Sequence, residues 1–143
     1  WVMNLTAYAG RTAPLPPTVE KPWSYFERRG CFLDCRGPLK IAKTSEWGFC
    51  VTVLTESHNI RNGPGKLGET IPYGVTVEEG AWIGSWSILA GCTIGAGSIV
   101  AAGTVVRGQT VAPGVIVAGN PARVIARWGG ARWVYENYER VLK

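Results

Sequence analysis

The chain holds one histidine, His58, in 143 residues. Imidazole is the side chain whose unperturbed pKa lets it take up and release a proton near neutral pH, so any such step that needs a histidine falls to His58. One imidazole excludes metal sites that need several and mechanisms that need two. Acids are scarce as well: nine Glu and a single Asp, Asp34. The four cysteines, Cys31, Cys35, Cys50 and Cys92, contain no CxxC pair and cannot complete a Cys/His zinc set with one His. Reduced thiols fit them better than metal ligands or a Cys31–Cys35 bridge. Neither Cys50 nor Cys92 has a second His to activate it as a nucleophile. Glu56, two positions before His58, shares its side of a regular strand, so either Glu56 or a backbone carbonyl could orient the ring.

The length suits one domain with a real core. Hydrophobic residues make up 46% and charged residues 17%, against roughly 25% charged in an average soluble domain. The net charge of +5 suits a nucleic acid, a phosphorylated small molecule or a solvated surface. No dense basic run and no RNP-type aromatic motif occurs, which disfavours nucleic acid. No stretch approaches the roughly 18 apolar residues of a membrane span, and no signal-like run opens the chain. A cytoplasmic protein is therefore expected. The chain starts at Trp1 rather than Met, so its natural N-terminus is expected upstream.

His58 must be positioned by the elements around it, and these follow a repeat. Ile or Val stands at 71, 77 and 83 and, after a step of five, at 88, 94, 100 and 106. Four places after each start from 77 comes a small residue: Ala81, Ser87, Cys92, Ser98, Thr104 and Thr110. An upstream block keeps the beat more loosely, with starts at Cys35, Ile41, Trp47 and Val53 and with Leu39, Ser45, Val51 and Ser57 four places on. Six is no multiple of 3.6, and the glycines interrupt any long strand, so each hexad reads as a short strand plus a turn. Three such strands close a triangular coil, and residues 18 apart stack about 4.8 Å from one another into an axial aliphatic core. The expected fold is an all-β parallel β-helix over residues 35–127.

The repeat breaks twice. Residues 59–70 include Asn62-Gly63-Pro64-Gly65, a turn composition, and are expected to leave the coil as a loop, with His58 at its mouth. The five-residue step after Ile83 is expected to be a tightened corner near the site. Residues 1–34, with Pro14, Pro16, Pro17 and Pro22, read as an irregular, extended arm with weak strands near the coils. In 128–143, apolar residues at 131, 134, 135, 138, 141 and 142 follow helical spacing, which predicts a short C-terminal helix after Gly129-Gly130.

With Ala81-Trp82-Ile83-Gly84-Ser85 and Ala118-Gly119-Asn120-Pro121-Ala122-Arg123-Val124-Ile125, the chain resembles the hexapeptide-repeat acyltransferases, in particular their sugar and polysaccharide O-acetyltransferase branch. The resemblance implies a left-handed β-helix, a handedness the repeat alone does not give. It implies acetyl-CoA as donor, no metal, and His58 as the base that lets an acceptor hydroxyl or amine attack the thioester without an acyl-enzyme. It also implies that the amide of Ser85, after Gly84, lies beside the thioester. Trp82 would wall the pantetheine channel, and Ala102 and Gly103 would offer their backbone to the pantetheine arm. Asn120 is a marker of the family that could equally serve chain reversal. Arg107, Arg123 and Arg127 lie where the family holds the phosphates of CoA, which guanidinium suits. Trp86 departs from the pattern at a place that is usually small. The family is trimeric, with clefts between neighbouring helices.

Three functions compete at this point: acetyl transfer to a sugar, glycan or similar small hydroxylated acceptor; a xenobiotic or antibiotic acetyltransferase; and a non-catalytic β-helix assembly module. A γ-type carbonic anhydrase needs three His.

Overall fold

The structure, a computed structural model, describes residues 15–136. After a short helix, α1 (Trp23–Glu27), the chain winds through four triangular coils. The first holds β1 (Phe32–Leu33), β2 (Leu39–Ile41) and β3 (Glu46–Trp47). The second holds β4 (Thr52–Leu54), then a hairpin of β5 (Glu56–His58) and β6 (Thr70–Pro72), then β7 (Val75–Val77) and β8 (Trp82–Ile83). The third holds β9 (Ile88–Ala90), β10 (Thr93–Ile94) and β11 (Ile99–Val100). The fourth holds β12 (Val105–Arg107), β13 (Thr110–Val111) and β14 (Val115–Ala118), and β15 (Arg123–Trp128) and β16 (Trp133–Tyr135) close the end.

The coil strands stack in parallel into three faces. The first face is β1-β4-β9-β12, the second β2-β7-β10-β13, and the third β3-β8-β11-β14, which β15 and β16 extend in antiparallel. This is the β-helix expected from the repeat, of the left-handed class. One residue of each strand points to the axis, so the core is three columns: Leu33, Val53, Leu89 and Val106; Ile41, Val77, Ile94 and Val111; Trp47, Ile83, Val100 and Val117. All are buried. Each such side chain contributes about 1.5–3 kcal/mol by leaving water. Phe26 of α1 plugs one end of the axis, edge-on to Trp47 at 5.3 Å between ring centroids.

Turns between faces are tight. Gly80, Gly97 and Gly114 lie 17 apart at one edge, with φ 65°, 64° and 64°, a left-handed conformation that side chains with a Cβ rarely take. Small residues at the corners are buried as expected at Ala81, Ser87, Cys92, Ser98 and Thr104.

Several expectations are corrected. Coils after the hairpin repeat every 17 residues, not 18: Val77 pairs with Ile94, and Ile94 with Val111. The cause is a five-residue step in each coil, Leu89 to Ile94 and Val106 to Val111. Leu89 rather than Ile88 is the core residue, since strand alternation turns only one of two adjacent aliphatics inward. Likewise Leu33, not Cys35, stacks under Val53. Ile71 and Ser57 sit exposed on the hairpin, and Thr110 faces outward beside Thr93. The chain leaves the coil earlier than residue 59: Ile41 pairs with Val77, 36 positions on, about twice a normal coil. Within the arm, expected to be extended with weak strands near the coils, β1 and the bridge from Val19 to Ile41 are such strands, whereas α1 is a helix that was not expected.

Residues 128–136 form no helix. Arg127 pairs with Val134 and Trp128 with Trp133, whose rings meet at 5.4 Å; Gly130 reverses the chain at φ 90°. A cross-strand aromatic pair on an exposed sheet edge overrides helical spacing. The remainder of the expected helix, 137–143, lies outside the described residues.

Candidate active site

His58 ends β5, and its hairpin projects from the edge between the first and second faces. Residues Glu56, Ser57 and His58 pair antiparallel with Pro72, Ile71 and Thr70. The neck of the loop is closed by Asn59 N–H to Glu69 O at 2.9 Å, Gly68 N–H to Asn59 O at 2.7 Å, and Asn59 Nδ2 to Glu69 Oε1 at 2.7 Å. His58 Nδ1 lies 3.1 Å from the Gly68 carbonyl oxygen. A carbonyl only accepts, so in the neutral ring Nδ1 carries the proton and Nε2 is left with its lone pair. The ring itself is exposed.

Glu56 does not orient His58. Its carboxylate is 2.6 Å from Arg36 Nη1, and Arg36 also meets Asp34 at 2.8 Å. Burial alone would raise the Asp34 carboxyl, but hydrogen bonds from the Arg36 side chain and from the Arg36 and Thr55 amides outweigh it and hold it below the usual range. Tyr73 Oη donates to Glu56 O at 2.8 Å. Glu56 thus ties the hairpin root to Arg36 of the first coil, and Tyr73 ties the two sides of the hairpin to each other.

The other proposed contacts gather on a different edge, between the third and first faces. There Gly48-Phe49-Cys50, Gly84-Ser85-Trp86 and Ala101-Ala102-Gly103 stack in successive coils, linked by Trp86 N–H to Phe49 O at 2.8 Å and Gly103 N–H to Ser85 O at 2.9 Å. Gly84 is required by close approach: a Cβ there would lie 2.5 Å from Ala102 N. Ser85 Oγ accepts from Phe49 N–H at 3.0 Å. Gly119 continues the column through Val105 N–H to Gly119 O at 3.0 Å, and Asn120 follows it. Trp82 faces outward on β8, between Glu46 and Ile99.

The three arginines separate. Arg123 pairs with Ala118 and so stands near that second edge. Arg107 aligns with Ala90, and Ala90 with Leu54, which puts it on the hairpin edge. Arg127 lies opposite Val115 and is engaged by Glu136 at 2.8 Å. Within one chain, therefore, His58 and Ser85 occupy different edges of the prism.

Two features were not anticipated in full. Trp86 has φ 63°, a left-handed backbone that costs a bulky L-residue about 1–2 kcal/mol, and its side chain, like that of Phe49 one coil below, is largely exposed. Its sequence signal was only an aromatic at a small-residue place. A groove of about 590 Å³ also runs along the second face, lined by Lys40, Tyr73, Thr76, Thr93, Gln109 and Thr110 among others, with neither His58 nor Ser85 in its wall.

All four cysteines are free thiols. Burial pushes Cys92 up to about 12, which suits packing and not nucleophilic attack. Among the described residues no three His, Cys, Asp or Glu are grouped to hold an ion, and no helix is long and apolar enough to cross a membrane.

Residues 74–108 match the family model of the bacterial transferase hexapeptide (six repeats). Among solved structures, a maltose O-acetyltransferase from Clostridium difficile 630 is 31% identical, over 68% of this chain and 52% of that one, with a TM-score of 0.55. The chain thus spans about half the length of that relative. An N-acyltransferase from Bacillus cereus shares the fold at 16% identity, over 73% of this chain and 56% of that one, with a TM-score of 0.52. Comparison with curated proteins found no match. With its 17-residue coils, its extruded hairpin and these likenesses, the chain is a β-helix that carries the bacterial transferase hexapeptide repeat and is similar to a maltose O-acetyltransferase.

Proposed function

We propose that this chain is an acetyl-CoA-dependent O-acetyltransferase acting on a hydroxyl of a sugar, glycan or similar small acceptor. The observation that carries the reading is His58, the sole imidazole, held through Nδ1 by the Gly68 carbonyl so that Nε2 is the base. Support comes from the 31% identity with a maltose O-acetyltransferase. In the reaction Nε2 takes the acceptor proton as its oxygen attacks the thioester carbonyl. The amide of Ser85 steadies the oxyanion. The tetrahedral intermediate then expels CoA as a thiolate, which takes the proton from the imidazolium, leaving the acetyl ester.

A single subunit does not bring His58 to Ser85, so the site forms between copies in a homotrimer. The outward row of the first face, Phe32, Thr52, Ile88 and Val105, is half-buried and apolar but for the Thr52 hydroxyl, a surface suited to contact with a second copy. CoA would run from Ser85 past Ala102, Gly103 and Asn120, with Arg123 from the same subunit and Arg107 on the hairpin edge of its neighbour near the phosphates. Arg127, already paired with Glu136, has the weakest claim. Acetyl-CoA is an intracellular metabolite, so this reading also places the protein in the cytoplasm.

The test is subunit complementation. His58→Ala and a donor-edge variant, Gly103→Trp, are each expected to be inactive alone with maltose and acetyl-CoA, and co-expressed to regain a measurable fraction of wild-type turnover. Failure of the wild type to bind CoA would favour the assembly module and overturn the enzyme reading.

A further inference from the structure

Two exposed aromatic side chains share the edge that carries Ser85, Phe49 at 61% and Trp86 at 69% exposure, and Trp82, on the adjoining third face, is 54% exposed. Large apolar groups left in water together mark a surface that something covers. Trp86 adds a second, independent observation. Its position is held by Cys50 one coil below, at φ 56°, and by Gly103, 17 residues on, at φ 71°. The backbone is left-handed at all three, and Trp86 is the largest side chain to carry that conformation there. Strain retained at a residue whose side chain gives nothing to the core points to use of that side chain.

The direction of the edge says what the use is. From Ser85 the donor path rises through Ala102 and Gly103 to Asn120. Over Gly103 a Cβ would meet nothing within 4 Å, so that stretch is open. Trp86 and Phe49 stand at and below Ser85, on the side away from the donor, where the acceptor must approach the thioester. Trp86 follows Ser85 directly, and its amide is fixed to Phe49 O at 2.8 Å, so the indole is anchored at its base while its faces stay free.

We propose that Trp86 is the acceptor-positioning residue of this enzyme, and that it selects a cyclic sugar whose C–H face lies on the indole. The inference rests on the O-acetyltransferase reading. A pyranose chair, itself rigid, lays its C–H face on a rigid aromatic face at little entropic cost, and that contact holds one hydroxyl in line with the thioester. An acyclic polyol has hydroxyls of the same chemistry but no such face.

Trp86→Gly is the decisive variant, because glycine is the residue the backbone prefers there. It is expected to melt at the wild-type temperature or higher, to keep the wild-type Kd for CoA by calorimetry, and to keep the wild-type assembly by light scattering. Turnover is measured with maltose and methyl galactoside as pyranosides, and with sorbitol and mannitol as acyclic polyols. The wild type is expected to favour the pyranosides. Trp86→Gly should lose at least tenfold in kcat/KM for them, mainly through KM, with the polyols unchanged, and Trp86→Phe should restore most of the loss. Equal losses on both acceptor classes, no pyranoside preference in the wild type, or no acetylation of any of the four by a CoA-binding wild type would overturn the proposal. So would a weaker Kd for CoA or a dissociated assembly in Trp86→Gly, which would assign the indole to the donor or to a neighbouring subunit. A wild type that does not bind CoA would instead overturn the reading beneath it.

Discussion

The Nδ1 of His58 stands 3.1 Å from the carbonyl oxygen of Gly68, a contact across the mouth of the hairpin that leaves Nε2 as the nitrogen open to the base role proposed for it. His58→Ala should therefore remove proton transfer and leave the fold alone. Turnover is expected to fall by about 10²–10⁴, with CoA affinity unchanged. Since His58 is exposed, stability should stay within about 0.5 kcal/mol of wild type. Steady-state kinetics beside a melting curve checks both; a variant that still turns over normally would remove His58 from the mechanism.

Gly68→Ala tests the partner. A Cβ at Gly68 would lie 2.8 Å from Asn62 Nδ2 and 3.0 Å from Asn59 O, so the neck must shift and carry the carbonyl with it. A loss of about 10- to 100-fold in kcat is expected for a displacement of about 1 Å. The exposed loop should leave the melting temperature unmoved. A changed pH profile of kcat, with unchanged CoA binding, would separate lost orientation from a merely local disturbance.

Asp34 links the hairpin to pH. Its folded pKa is held below the unfolded value of about 3.9 because hydrogen bonds from Arg36 and Thr55 outweigh burial. A depressed carboxyl contributes stability that is complete above its unfolded pKa and is lost as pH falls through the folded one. Wild-type stability should thus begin to drop near pH 4, and Asp34→Asn should flatten that drop. At neutral pH, Asp34→Ala leaves the buried Thr55 amide without its carboxylate partner and should cost about 1–3 kcal/mol. Thermal melts between pH 3 and 7 would show it; parallel acid curves for the two proteins would contradict it.

The coil was legible because an axial column records its period along the chain: Ile41, Trp47, Val53, Val77, Ile83, Ile94, Val100 and Val106 all stack where the hexads put them. Errors arose where one residue's choice depends on a distant strand. Ile88 and Leu89 are interchangeable in composition, and only stacking between Val53 and Val106 selects Leu89. Ile71 keeps the beat but pairs with Ser57 on the hairpin. Residues 131–135 carry helical spacing, yet β15 offers them an edge. At the site, His58 stood out as the lone imidazole. Its partner is a backbone carbonyl ten residues on, and every residue has one, so no letter marks it. The separation of His58 from Ser85 on two edges follows from the winding of the coil.

Thr104 supplies a prediction about the core itself. In equivalent corners Ser87 Oγ donates to Ala101 O at 3.1 Å and Ser98 Oγ to Ala112 O at 2.7 Å, each fourteen residues on. The carbonyl fourteen on from Thr104 belongs to Ala118, the last residue of β14, where the coil gives way to the antiparallel β15. Thr104 Oγ1 is buried there without a partner. A buried hydroxyl without a hydrogen bond forfeits about 1–3 kcal/mol of hydration, and valine has nearly the same shape. Thr104→Val is thus expected to stabilise the chain by about 1 kcal/mol in urea unfolding, while Ser98→Ala, which removes a satisfied bond, should destabilise it by a similar amount. A loss of stability in Thr104→Val would mean that the hydroxyl is satisfied in solution, by a bound water at the end of the coil.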